Sequence, residues 1–318
     1  MKKRITSLVL LLALCIGVAH AYPTGPVTIV VPFPAGQTGD IIARTLAVEL
    51  AKKYGKPFVI DNRPGAGSQI GTTYAARAKN DGSVLLMTSS GPFAIAPVLY
   101  PGTLPYQPLR DFSVIVEAAT TPQILAVSND SGIKNVDELV KAAKAKEITY
   151  ASAGNGSTQH LSMELLKQQL GIQMLHIPFK GSAPAFTDLI AGHVQFMAES
   201  VPQAANYAKQ GKVKALAVTS AKRNPALPNT PTVLETGVAN LEVVGFYGIL
   251  APKGTPPDIV NKLSQAFKET LESPEIQKKM IDQGADPAYL NADQFTKFLN
   301  GEMPRWAKAV KQAGAKVD

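Results

Sequence analysis

The sequence predicts an α/β protein of two domains, each a mostly parallel sheet flanked by helices, with the two domains facing one cleft. Two observations carry that prediction. Short apolar runs of strand length alternate with stretches of helical periodicity, the pattern of sheets whose strands are joined by helices. A strand, a glycine turn and a helix start also follow one another twice, at 27–46 and at 148–166, once in each half of the chain.

The chain opens on Met1-Lys2-Lys3-Arg4, an apolar stretch from Leu8 to Val18 and the small-x-small triplet Ala19-His20-Ala21. This reads as a secretory signal peptide (1–21), cleaved after Ala21. Its apolar part is shorter than the ~20 residues of a spanning helix, and no later segment is long and apolar enough. The mature chain is therefore expected to be soluble and periplasmic. Leu14 stands before Cys15 where lipoprotein processing requires a small residue, which argues against a lipid anchor. Cys15 is the only cysteine, so disulfide and thiolate chemistry leave with the leader. The formal net charge is +8, and three of those charges also lie in the leader. No basic run interleaved with aromatics is present, so no nucleic-acid partner is expected.

Strand-like runs follow at Thr28–Pro32, Phe58–Asp61, Val84–Thr88, Ile124–Val127, Ile148–Ser152, Leu175–Pro178, Val194–Ala198 and Ala215–Thr219. Helical spacing fills most gaps, as in Asp40–Tyr54, where Ile41, Ile42, Thr45, Leu46, Glu49 and Leu50 recur at helical intervals. Thr120-Thr121-Pro122-Gln123 interrupts the patterning, and a crossing strand near Gly245-Phe246-Tyr247-Gly248 returns to the first domain. Residues 22–121 with 247–318 are thus assigned to domain 1 and 122–246 to domain 2. The tail from Pro257 reads as helices punctuated by Pro274, Pro287 and Pro304.

Several chemistries lack their residues. Pro64-Gly65-Ala66-Gly67-Ser68-Gln69-Ile70-Gly71 follows the second strand, and no acidic residue ends the next one, so it reads as a bend that lets a helix pack closely on a sheet and not as a dinucleotide site. Ser157 and His160 lie on one helix turn without a nucleophile elbow, which leaves a secreted hydrolase unsupported. Metal-ligand spacing is missing, and neither a metal nor a cofactor is expected. What remains is donors: the backbone N–H groups of both glycine turns, the hydroxyls of Thr38, Ser152, Ser157 and Thr158, and the amides of Gln37 and Asn155. A helix N-terminus of this kind suits an anion. Ser157 and Thr158 can equally cap their helix, and Asp40 is read as a cap, since a carboxylate aimed at a bound anion would repel it.

The chain resembles the periplasmic solute-binding proteins of tripartite tricarboxylate transporters, the Bug family. The pieces in order are Pro32-Phe33-Pro34-Ala35-Gly36 with Asp40, Asn62-Arg63-Pro64-Gly65-Ala66-Gly67, Gly154–Ser157 with His160-Leu161, His176–Ala185, Thr187–Gly192, Leu216–Ser220 and Leu227–Thr232. The resemblance implies a type II, Venus-flytrap periplasmic-binding-protein fold that is not an enzyme. It implies a monomer that captures an organic mono- or dicarboxylate and delivers it to the membrane subunits of a transporter, or alternatively serves a membrane receptor kinase as a sensing subunit. Carried over, the carboxylate clamp comprises Phe33, Ala35, Gly36, Gln37 and Thr38 from the first turn and Ser152, Ala153, Asn155, Ser157 and Thr158 from the second. Gln37 replaces a glycine common in the family and either enters the pocket or points to solvent. Phe246 replaces a frequent tryptophan of the apolar wall, with Tyr247 beside it. Lys180 is a basic candidate for a second carboxylate or a solvated lysine. Ser89, Ser90, Glu199 and Ser200, at strand ends, are candidates for the distal end.

Overall fold

Val27-Thr28-Ile29-Val30-Val31 is β-branched throughout and forms strand β1 (Val27–Val31), buried at every position but Thr28. The computed structural model describes residues 22–315; the signal-peptide reading of 1–21 lies outside them. Helix α1 (Thr38–Tyr54) follows β1 and stops at Gly55, whose φ of 61° only glycine adopts without cost. The chain continues through β2 (Phe58–Asn62), α2 (Gln69–Ala76) and β3 (Val84–Ser89). β1 lies between β2 and β3 and is parallel to both.

The 17-residue strand β4 (Phe112–Ser128) then leads to α3 (Val136–Ala145), β5 (Thr149–Ser152), α4 (Thr158–Leu170), β6 (Leu175–Pro178), α5 (Ser182–Ile190), β7 (Phe196–Ser200), α6 (Val201–Lys209) and β8 (Val213–Val218). Here β5 lies between β6 and β7, again parallel to both. The chain returns in β9 (Val244–Pro252) and ends in α7 (Pro257–Glu272), α8 (Pro274–Asp282), β10 (Asp286–Asn291) and α9 (Ala292–Ala313).

Both sheets share β4. From Phe112 to Pro122 it pairs with β9, and from Gln123 onward it pairs with β7 and β8. β4 carries the chain out of the first sheet and β9 carries it back, so the two run antiparallel. Each sheet is consequently mixed: parallel where helices link the strands, antiparallel at the crossing strands. Thr120–Gln123 does not interrupt structure; it lies inside β4, where only Ser113 and Thr120 escape full burial. Covered on both faces, such a strand shows no alternation to read.

The tail departs from the all-helical expectation at Asp286–Asn291, which pairs antiparallel with β4. Pro287 is accommodated there because the register shifts between Pro287 and Leu290. Pro304 sits inside α9 without ending it. Phe295, Leu299 and Trp306 of α9 complete a core that runs through both sheets, with Phe93, Phe112, Tyr150 and Phe246. A second core joins α1 and α7 to the first sheet, and a third joins α5 and α6 to the second.

Gly71 sets how closely α2 approaches the end of β1. A Cβ there would stand 2.6 Å from the Arg63 carbonyl oxygen and 2.9 Å from Pro32 Cα, both backbone atoms. Gly71→Ala should therefore cost about 1–3 kcal/mol in denaturant unfolding through overpacking. Gly301→Ala, at an exposed position of α9 with nothing within 4 Å, should instead gain up to about 1 kcal/mol from helix propensity.

Candidate ligand-binding cleft

The loops that leave the carboxyl ends of β1, β2, β3, β5, β6 and β7 surround one cleft of about 660 Å3, with Tyr247 of β9 on its wall. Such loops lead into helices, so the cleft is where helices begin. Thr38 opens α1, Thr158 opens α4, Ser182 opens α5, and Ser200 precedes the first residue of α6; all four line the cleft. A helix start leaves its first N–H groups without intrahelical acceptors and carries partial positive charge.

The first turn is shaped by Asp40. Its Oδ2 accepts the Gly36 N–H at 2.8 Å and Arg44 Nε at 2.9 Å, while Oδ1 accepts Asn62 Nδ2 at 2.9 Å. Burial by itself would raise this carboxyl, but the bonds from Arg44, Gly36 and Asn62 outweigh it and hold it below the usual carboxylate range. Gln37 is the N-cap yet makes no capping bond. Its Nε2 reaches over the cleft to Ser182 Oγ at 3.3 Å, and beside it the Thr38 and Ser200 hydroxyls stand 2.7 Å apart. These two contacts join residues of α1 to the far wall.

The second turn is held by two stacked imidazoles. Ser157 caps α4, its Oγ accepting the His160 N–H, and His160 Nδ1 accepts the Gly156 N–H at 3.2 Å. The His160 and His176 rings stack nearly parallel with centroids 4.1 Å apart, and Tyr150 stacks on the outer face of His176. His176 Nε2 pairs with Ser152 Oγ at 2.7 Å, and Ser152 Oγ accepts the Gly154 N–H. Burial, then the neighbouring His160 and Lys167, push His176 down to about 3, and burial lowers His160 as well. Both rings are neutral in the folded protein, as a His160 Nδ1 acceptor requires.

Glu199 lies on the cleft wall with its side chain fully buried. Its Oε1 accepts Gln159 Nε2, the Ser200 N–H and Ser200 Oγ, each at 2.7 Å. Burial raises its carboxyl, against the lowering effect of Ser182, Ser200 and Gln159.

Of the residues singled out in the sequence, Phe33, Gln37, Thr38, Ser89, Ala153, Asn155, Ser157, Thr158, Lys180, Glu199 and Ser200 line this cleft. Ala35 and Gly36 do not: they are exposed, and the Gly36 N–H is spent on Asp40. Ser152 is buried beneath the second turn as its hydrogen-bonded support. Ser90 is buried too, its Oγ accepting the Phe246 N–H. Phe246 faces the core against Phe295 and Phe298, whereas Tyr247 lines the cleft, because adjacent strand residues point to opposite faces. The sequence reading passed over Pro64–Ser68, Pro92, Ala96, Leu99, Tyr100, Gln159, Phe179 and Gln203 as lining. A signal existed for the first of these: Ala66, between Gly65 and Gly67, and Ser68, just after, adopt positive φ with the two glycines, a left-handed run that glycine spacing advertises.

Since both imidazoles bind protons more readily in the unfolded chain, their contribution to stability is full above the ordinary histidine range near 6.5 and is lost as pH falls toward 3. Chemical denaturation at pH 7 and pH 5 should show lower stability at pH 5, and His176→Gln should reduce that difference while lowering stability at pH 7.

Residues 42–315 match the family described as "Tripartite tricarboxylate transporter family receptor". Protein BugT of Bordetella pertussis is 35% identical over 302 residues, 94% of this chain and 92% of its own length. Among solved structures, Rpa4515 of R. palustris with adipate is 35% identical with a TM-score of 0.90, covering 93% of this chain and 100% of the other. MatC (Rpa3494) of Rhodopseudomonas palustris with bound malate is 31% identical with a TM-score of 0.83, covering 91% and 100%. The chain belongs to the tripartite tricarboxylate transporter receptors, a family of periplasmic solute-binding proteins of the Bug type.

Proposed function

We propose that this receptor captures an organic mono- or dicarboxylate in the cleft and delivers it to the membrane subunits of a tripartite transporter. The observation that carries the reading is the convergence of four helix starts on one cleft where, among the described residues, the charged lining groups are exposed Lys180 and buried Glu199. Donors without a fixed cation suit a single carboxylate end. Bonds to a charged group contribute about 1.5–3 kcal/mol each, and micromolar affinity requires about 8 kcal/mol, so several first-turn N–H groups and hydroxyls suffice. The adipate and malate bound by the two R. palustris relatives support that ligand class.

The binding cycle follows from the crossing strands. Residues 22–121 with 247–318 form one lobe, 122–246 the other, and β4 and β9 link them. Gln37–Ser182 and Thr38–Ser200 latch the lobes, and a ligand that binds the closed form more tightly shifts the population toward it. The mature protein acts in the periplasm as a monomer after cleavage behind Ala21. Hydrolysis is not part of this reading: the Ser152–His176 pair has its serine buried below the wall, and Ser157 Oγ is engaged as a helix cap.

Thermal-shift measurements on the mature protein should show stabilisation by adipate, malate, succinate or benzoate and none by simple amines or sugars. A ligand at 100 times its Kd adds about 2.7 kcal/mol of stability. Stabilisation by amines or sugars with none by carboxylates overturns the proposal. Gln37→Gly, which removes the contact to Ser182, should retain carboxylate binding and change the rank order of carboxylates in titration calorimetry. An unchanged rank order and affinity would place Gln37 outside ligand recognition.

A further inference from the structure

Glu199 is an odd residue for a cleft that receives anions. It lies amid the starts of three helices: Gln159 in the first turn of α4, Ser182 at the first residue of α5, and Ser200 preceding α6 all bear on its carboxyl. Oε1 accepts three hydrogen bonds. Oε2, buried and part of a cleft-lining residue, makes none of ordinary geometry among the described residues, although the Ser182 hydroxyl lies beside the carboxyl. A buried oxygen without a partner is costly, so its partner is to be sought in what enters the cleft.

The other charged or titratable groups that face it offer no positive compensation at close range. Tyr247, from β9, is itself raised, by burial and then by Glu199, and stays a neutral phenol. Lys180, after β6, is exposed to solvent. Thr38, from α1, carries no charge and bears on it through the Ser200 hydroxyl and the Tyr247 phenol. Helix starts favour one negative charge in this space, but the low-dielectric wall opposes two. A carboxylate ligand arriving beside an ionised Glu199 would meet like charge, and like charge together with burial drives a carboxyl to its neutral form. In that form Oε2 becomes a donor.

We propose that Glu199 meets the ligand as a neutral acid, its Oε2–H donating to a carboxylate oxygen, so that capture of the anion takes up one proton from solvent. The proton moves from water to Glu199, and no bond in the ligand changes. This inference rests on the carboxylate reading above and sharpens it: the ligand presents an acceptor at this point, which disfavours an amino acid whose ammonium would occupy it.

The test is titration calorimetry of the mature protein with adipate and with malate between about pH 6.5 and 9, in two buffers of different ionisation enthalpy. Uptake approaching one proton per ligand is expected, with affinity highest at the acid end and falling up to about tenfold per pH unit as pH rises. Glu199→Gln, a permanently neutral donor, should bind both acids within a few-fold of the wild type at low pH, take up no proton and show flat affinity with pH. Uptake in the wild type is itself a test, so the proposal stays falsifiable even if the variant fails to fold. Absence of uptake in the wild type, or uptake that persists in Glu199→Gln, overturns the proposal while leaving carboxylate capture intact. So does a variant that folds, by circular dichroism, yet loses affinity about 100-fold at every pH, as expected for an ionised Glu199 accepting from a ligand donor. Failure of every carboxylate to bind the wild type at any pH overturns the carboxylate reading, and this inference with it.

Discussion

The unsatisfied N–H groups at the starts of α1, α4, α5 and α6 are the constraint around which this molecule is arranged. In a sheet whose parallel strands are joined by helices, every strand delivers its chain to the same edge, and the next helix begins there. Two such edges facing each other concentrate first-turn donors in one cleft. Some of these donors must be satisfied internally for the turns to have fixed shapes. Asp40 takes the Gly36 amide, while Ser157 and His160 take two more around the second turn. In the proposed reading the remaining donors serve the ligand.

Three buried carboxyls show how surroundings divide the labour. Asp40 is pulled down by Arg44, Gly36 and Asn62 and serves as a permanent anion that shapes its turn. Glu117, on β4 under α9, has an unpartnered Oε1 and is pushed up to about 8 by burial and by Glu302. Glu199 has three donors on one oxygen and none on the other, so burial still prevails. A cationic partner, Arg44, which neither Glu117 nor Glu199 has, separates the structural anion from the two carboxyls that burial raises.

Much of the cleft was readable because its parts are local. A glycine turn between an apolar strand and a helix start is specified by residues within about ten positions, and Pro32–Asp40 and Ser152–His160 both formed as such units. Other parts were hidden by long-range pairing. β4 is buried on both faces and lacks alternation, so its first half went unread, as did β10, which depends on β4 for its ladder. Strand register, which sequence leaves free, turns Tyr247 to the cleft and Phe246 to the core, and so decides which of the two neighbours lines the wall. Ala35 and Gly36 resembled contact residues until Asp40, four residues on, was seen to consume the amide.

By itself the sequence determined the fold class, the two turn-helix units and the family, because periodicity, glycine placement and ordered motifs are written in neighbouring residues. It also supports the expectation of an anion site built from hydrogen-bond donors. Only the tertiary structure decided which donors remain for a ligand, since that depends on hydrogen bonds between residues far apart in the chain, such as Asn62 to Asp40 and Gln37 to Ser182. It alone decided the role open to Glu199, whose surroundings beyond the adjoining Ser200 come from α1, α4, α5 and β9, distant in the chain. The protonation of a buried carboxyl is set by every group that encloses it, and that enclosure exists only when the chain is folded.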